Sequence, residues 1–246
     1  ERKNYIIRKS INLSKRSHII ASNIDRAYLI VTLVAPQTHI GFIDRFLVTA
    51  EAYGIPVSII WNKTDLLFPE DQEVLDHYVS IYETVGYPCY KTTLRDESSF
   101  DFLKKETAGK QFLLSGNSGV GKSSIAKLLA PDLEIKVGKI SKTHLSGQHT
   151  TTFAEIHELD NGAFLIDTPG IKAFGLIDID PKKLGHYFPE MFNLLPECKF
   201  RNCVHVNEPG CAVKAAVENG DIPPERYDSY ISMMNEDQEE DYRGGH

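Results

Sequence analysis

Residues 116–123 read Gly-Asn-Ser-Gly-Val-Gly-Lys-Ser, a complete G-x-x-x-x-G-K-S loop. Glycines at 116, 119 and 121 let backbone N–H groups curl around phosphate oxygens without Cβ clashes. Lys122 is expected to bring a point charge to the β/γ phosphates and Ser123 a hydroxyl to Mg²⁺, with Asn117, Ser118, Val120 and Ser124 completing the cradle. A helix starting here would aim unpaired N–H groups and a positive dipole end at the anion. Upstream lies Asn62-Lys63-Thr64-Asp65. A carboxylate at Asp65 accepts from both N1–H and the 2-amino group of guanine, which adenine does not offer, and the Lys63 stem suits a purine face. Downstream, Asp167-Thr168-Pro169-Gly170 supplies an acid for Mg²⁺ and a Gly170 N–H for the γ-phosphate. Between them His149-Thr150-Thr151-Thr152 offers hydroxyls for the Mg²⁺ shell, with Thr151 the one assigned.

A second constellation is Cys198-x₄-Cys203-x-His205-x₅-Cys211. Three thiolates and an imidazole at this spacing close a tetrahedral structural Zn²⁺ site with no open position. The stretch is polar and short and carries Pro209-Gly210, so it is expected to lack the apolar mass for a core of its own and to draw its folding energy from metal. Cys89 stands apart and reads as a small core residue.

Apolar strands and amphipathic helices must position these loops. Tyr28–Val34, Val57–Trp61, Tyr87–Lys91, Gln111–Leu114 and Ala163–Ile166 read as strands, and Phe153–Leu159 as an edge strand joined to the last by Asn161-Gly162. Helices are expected at Ile43–Tyr53, Pro69–Val85, Ser98–Lys104 (capped by Ser98 or Ser99), Lys122–Leu129, Ala212–Glu218 and after Pro223-Pro224. This alternation predicts an α/β fold, a mostly parallel sheet with helices on both faces, whose loops at the strand carboxyl ends form the ligand crevice. Three parts are expected: a basic, irregular segment at 1–26, a nucleotide-binding domain at 27–177 and a small zinc-binding helical domain at 178–246.

The 246 residues carry a net charge of −7, which averages a basic entry (Arg2, Lys3, Arg8, Lys9, Lys15, Arg16) with an acidic tail (Glu236, Asp237, Glu239, Glu240, Asp241). The longest apolar run, Tyr28–Ala35, is too short to span a bilayer, so no membrane partner is expected. Few cysteines beside a nucleotide loop fit a reducing, cytoplasmic setting. The chain begins at Glu1 rather than Met, as expected of part of a longer protein.

In most GTPases these loops run phosphate loop, switch, D-x-P-G, N-K-x-D. Here N-K-x-D comes first, the order of a circular permutation. With Arg2-Lys3-Asn4, Phe174-Gly175-Leu176 and Cys198–Val213, the chain resembles the RsgA (YjeQ) family of GTPases of small-ribosomal-subunit biogenesis. The resemblance implies hydrolysis of GTP to GDP and phosphate, stimulated by the small (30S) subunit during its late maturation. It implies GTP/GDP, Mg²⁺ and one structural Zn²⁺ as ligands, ribosomal RNA as a partner, and a monomer. It also places Thr92-Thr93 near guanine O6, where relatives have Ser-Ala. Family members carry an N-terminal OB-fold barrel, and this chain begins about where it would end, so the barrel is expected to be largely absent. Ile171 stands where many GTPases have a water-positioning Gln, which leaves His149 as water positioner or general base. Lys122 and Thr151 are the other residues assigned to the transition state. Two readings from other classes are a zinc-stabilised RNA-binding scaffold that senses nucleotide without hydrolysing it, and a P-loop ATPase or kinase, against which Asp65 argues.

Overall fold

The structure, a computed structural model, describes residues 3–9, 17–131, 155–167 and 179–243. Its centre is a six-stranded sheet built from β3 (Arg26–Val31), β4 (Val57–Asn62), β5 (Cys89–Thr92), β6 (Gln111–Ser115), β7 (Glu155–Glu158) and β8 (Phe164–Asp167) in the order β5-β4-β3-β6-β8-β7. All neighbours are parallel except the β7–β8 hairpin at the edge.

The central strands β3 and β4 are almost wholly buried and mostly apolar because both their faces are covered. Side chains alternate across the sheet. Leu29, Val31, Ile59 and Trp61 face one core, packed by α1 (Ile40–Ala52) and α2 (Pro69–Thr84). Tyr28, Ile30, Ile60 and Phe112 face the other, packed by α3 (Asp101–Thr107) and α4 (Lys122–Leu129). From β3 the chain adds β4 and β5 on one side, then returns to place β6 on the other. That reversal opens a crevice beyond the carboxyl ends of β3 and β6, where ligands bind in open α/β sheets.

Three expectations change. The entry segment is not irregular. β1 (Tyr5–Lys9) and β2 (Ser17–Ser22) pair antiparallel, and the buried Asn4 ties them to the sheet domain. Its amide donates to the carbonyls of Ile24 (2.8 Å) and Gly54 (3.2 Å), and its Oδ1 accepts from Ile24 N–H (2.8 Å). The helix expected from Ser98 is a 3-10 turn (Glu97–Phe100) leading into α3, and its cap is Asp96, whose carboxylate accepts from Ser98 N–H. The carboxylate is the stronger acceptor for that first free donor.

The third change concerns the C-terminal unit, which has an apolar core after all. Leu184, Phe188, Met191, Val213, Ile222, Tyr230 and Met233 pack together with Val48 from α1. They come from a 3-10 segment (Pro181–Tyr187), α5 (Pro189–Leu194), α6 (Ala212–Asn219), α7 (Pro224–Arg243) and the short joints that hold Phe188 and Ile222. A buried ion cluster joins this unit to the sheet domain. Arg226 of α7 donates from Nη1 to Asp44 of α1 (2.6 Å) and from Nε to Glu190 (2.7 Å). The Tyr82 hydroxyl donates to the same Asp44 oxygen (2.9 Å), and the guanidinium lies 4.7 Å from the Phe188 ring centroid. Burial pushes the Asp44 carboxyl up, against the pull of Arg226. Burial also opposes the Arg226 charge, but Asp44 and Glu190 outweigh it and hold the guanidinium ionised. Among the described residues no helix is long and apolar enough to cross a membrane.

Candidate nucleotide site and metal centre

β4 ends in Asn62, which is buried and bonded on both sides. Its amide donates to the Val120 carbonyl of the phosphate loop (2.8 Å), and its Oδ1 accepts from the Thr92 hydroxyl at the end of β5 (3.0 Å). Lys63 follows in a left-handed conformation (φ 64°) and reaches across the crevice. Its ammonium donates to the carbonyls of Ala35 (2.6 Å) and Gly119 (2.7 Å). The Thr64 hydroxyl donates to the Thr92 carbonyl (3.2 Å). Three loops from three strand ends are thus bolted together through one four-residue motif.

Asp65 sits in a single 3-10 turn (Thr64–Leu66). Its Oδ1 accepts from the Thr93 hydroxyl (2.6 Å), and its Oδ2 meets Arg95 Nε (3.0 Å). Thr92 and Thr93 therefore contact Asn62 and Asp65 through their side chains and orient them. Arg95 and Ala35 were not singled out in the sequence. The first follows Thr93 closely enough to have been suspected, whereas the Ala35 contact depends on a carbonyl and leaves no side-chain signal.

The phosphate loop runs from β6 into α4. Gly116 (φ 141°) passes so near β3 that a Cβ there would lie 2.1 Å from the Ile30 carbonyl oxygen. A Cβ on Gly121 (φ 110°) would lie 2.4 Å from the Asn62 amide nitrogen. Gly116 thus excludes any side chain, and at Gly121 a Cβ would push the Asn62 amide off its bond to Val120, so the glycines serve the close fit between loops as well as the curl. Val120 points into the core beside Ile125. The Lys122 ammonium folds over the loop and donates to the carbonyls of Gly116 (2.7 Å) and Asn117 (2.5 Å). Ser118, Ser123 and Ser124 are exposed at the loop and the first turn of α4. Asp167 closes β8, next to β6 and so beside the loop, but its side chain lies outside the described residues. So do His149, Thr150, Thr151, Thr152 and Gly170.

The second site lies in the C-terminal unit. Cys198, Cys203, His205 and Cys211 are all buried, and their ligand atoms lie within 4.8 Å of one another. His205 Nδ1 is 3.4 Å from Cys211 Sγ and 3.7 Å from Cys198 Sγ. Tetrahedral Zn²⁺ with its usual bond lengths sets neighbouring nitrogen and sulfur ligands about 3.6 Å apart, so the donor set fits the ion. Burial pushes the Cys203 thiol up to about 12, raises Cys211, and pulls His205 below its ordinary value. The imidazole is thereby kept neutral with its lone pair free, and a cation is what would favour the thiolates. α7 clamps this loop. Tyr227 and Tyr230 hydroxyls donate to the His205 and Val204 carbonyls. Glu208 accepts from the N–H groups of Val204 (2.9 Å) and Val206 (3.0 Å).

The comparisons agree with this geometry. A family model described as RsgA GTPase matches residues 1–177. The chain is 48% identical over 246 residues to the small ribosomal subunit biogenesis GTPase RsgA of Phocaeicola vulgatus, covering 100% of this chain and 79% of that protein. It is 50% identical over 246 residues to the protein of the same name from Flavobacterium johnsoniae, covering 99% and 74%. Among solved structures, YjeQ from Thermotoga maritima matches with a TM-score of 0.79 at 35% identity, over 96% of this chain and 76% of that one. YloQ, described as a circularly permuted GTPase, matches with a TM-score of 0.75 at 29% identity, over 96% and 79%. A guanine-type loop ahead of the phosphate loop, on a sheet shared with these neighbours, is what permutation of a GTP hydrolase produces: the chain belongs to the RsgA GTPase family.

Proposed function

We propose that this GTPase acts in late maturation of the small (30S) ribosomal subunit, which stimulates its hydrolysis of GTP. The observation that carries the nucleotide assignment is the bonding of Asn62, Lys63 and Asp65 to the phosphate loop and to Thr92-Thr93. It sets the base-reading carboxylate and the phosphate cradle at one fixed separation, as a single nucleotide requires. In this reading Asp65 takes the guanine edge, the loop from Gly116 to Ser124 takes the phosphates, and Lys122 swings from the Gly116 and Asn117 carbonyls to the β/γ oxygens. Ser123, Asp167 and Thr151 would hold Mg²⁺, whose chemistry is neutralisation of charge building on the phosphates. Gly170 would meet the γ-phosphate, and His149 would position the attacking water. His149→Ala is expected to remove subunit-stimulated turnover, a loss of about 10²-fold or more, while GTP still binds.

The partition we favour is an entry segment at 1–26, a permuted GTPase domain at 27–177 and a zinc-binding unit at 178–246. Cys198, Cys203, His205 and Cys211 would hold one structural Zn²⁺. Lys199 and Arg201 flank the exposed Phe200 on the metal loop, a cation and aromatic pairing that suits ribosomal RNA. A monomer in the cytoplasm fits this role. The test is GTP hydrolysis with and without purified small subunits. Slow turnover alone and strong stimulation by subunits is the expected result. Nucleotide binding without turnover, even with subunits present, would favour the scaffold reading.

A further inference from the structure

Two partners share the Asp65 carboxylate, and they differ in kind. Oδ1 is pinned from within. The Thr93 hydroxyl donates to it, and that same hydroxyl accepts from Arg95 N–H (3.1 Å), which fixes its direction. Oδ2 is met by Arg95 Nε at 3.0 Å. The Asp65 side chain is 19% exposed and the Arg95 side chain 75%, so the arginine approaches from solvent along the open side of the carboxylate. An exposed ion pair of this sort holds weakly and leaves easily.

The chemistry of the arginine matters as much as its position. The edge of guanine that a carboxylate reads, N1–H joined through C2 to an amino group, is itself a guanidine unit. Arg95 presents the same type of planar N–H donor to Oδ2, one of the two carboxylate oxygens open to the base. Resting on the reading of Asp65 as the base-recognising group, we propose that Arg95 is a resident guanine mimic. It keeps the carboxylate oriented and its charge compensated when no base is bound, gives way as guanine enters, and re-engages as guanine leaves. Arg95 thereby sets nucleotide affinity and exchange for the site, acting on GDP and GTP alike because it addresses the base and not the phosphates.

The experiment measures equilibrium affinity and dissociation rate for GDP and GTP in the wild type and in Arg95→Ala, at low and high salt. Competition from one exposed ion pair predicts that Arg95→Ala binds both nucleotides about two- to fivefold more tightly. GDP release should slow by a comparable factor, and the difference should fade in high salt. An Asp65→Asn background supplies the control. An amide attracts the arginine far less, so Arg95→Ala should leave xanthine nucleotide binding unchanged there. Unchanged or weakened GDP binding in Arg95→Ala, with Asp65→Asn still shifting preference to xanthine, would overturn the mimic. If Asp65→Asn fails to shift base preference, the base-reading assignment itself falls, and the mimic falls with it.

Discussion

Two aspartate–arginine pairs show how differently the two ends of this molecule are made. Asp65 and Arg95 meet at 3.0 Å on the rim of the nucleotide crevice, with the arginine mostly in water. Asp44 and Arg226 meet at 2.6 Å with neither side chain exposed. The first pair joins the loops that follow two adjacent strands, β4 and β5, and is replaceable, because solvent or a ligand can take over either partner. The second joins residues 182 positions apart, and nothing else can take over. In the proposed reading, the exposed pair on a pinned carboxylate stands where a ligand must exchange. Where the chain must hold two units in one arrangement it buries the pair, adds Glu190 and Tyr82, and surrounds the guanidinium with Phe188, Tyr82 and Tyr87.

The largest effect should come from the metal. Chelation should remove one Zn²⁺ per chain, measured by elemental analysis. It should cost several kcal/mol, less than the roughly 10–16 kcal/mol structural zinc gives an isolated finger, because this unit has a core of its own. Hydrogen exchange should show loss of protection around 198–211, while α1 near Asp44 stays protected. Loss of protection in α1 to the same extent would merge the two features contrasted here.

Arg226→Ala should follow, at about 3–5 kcal/mol in urea unfolding, since it leaves Asp44 buried and unpaired. The double variant Asp44→Leu/Arg226→Met should recover much of that loss, as apolar replacement of a buried pair often does. Equal destabilisation in the double variant would mean the pair itself supplies the stability. Next is Asp96→Ala, which removes the acceptor for Ser98 N–H and should cost about 1 kcal/mol. Smallest is Arg95→Ala, whose effect on unfolding should stay below about 1 kcal/mol. A loss near that of Arg226→Ala would erase the distinction between an exchangeable pair and a fixed one.

The same contrast explains what could be read from the chain. The phosphate loop, Asn62–Asp65 and the cysteine cluster carry their chemistry in adjacent residues, and each sits at the end of a strand or in the loop where its type and spacing put it. The parallel sheet was legible because β3 and β4 are buried on both faces and carry near-continuous apolar runs. Asp44 was not legible. It lies among Ile43, Phe46 and Leu47 on the buried face of α1, and its partner comes from the far end of the chain, which periodicity does not register. The core of the C-terminal unit was missed for a related reason: its apolar residues are spread over short helices on either side of a polar metal loop. The pairing of β1 with β2 was hidden by the basic residues around it, and its anchor is a single buried asparagine.

The measurement that tests the account most directly is base selectivity at Asp65. Binding of GDP, XDP and ADP should be measured to the wild type and to Asp65→Asn. The account predicts strong preference for GDP in the wild type and a shift toward XDP in the variant, because an asparagine amide can donate to the 2-oxo group where the carboxylate accepted from the 2-amino group. Equal binding of ADP and GDP by the wild type, or an Asp65→Asn variant with unaltered preference, would contradict it.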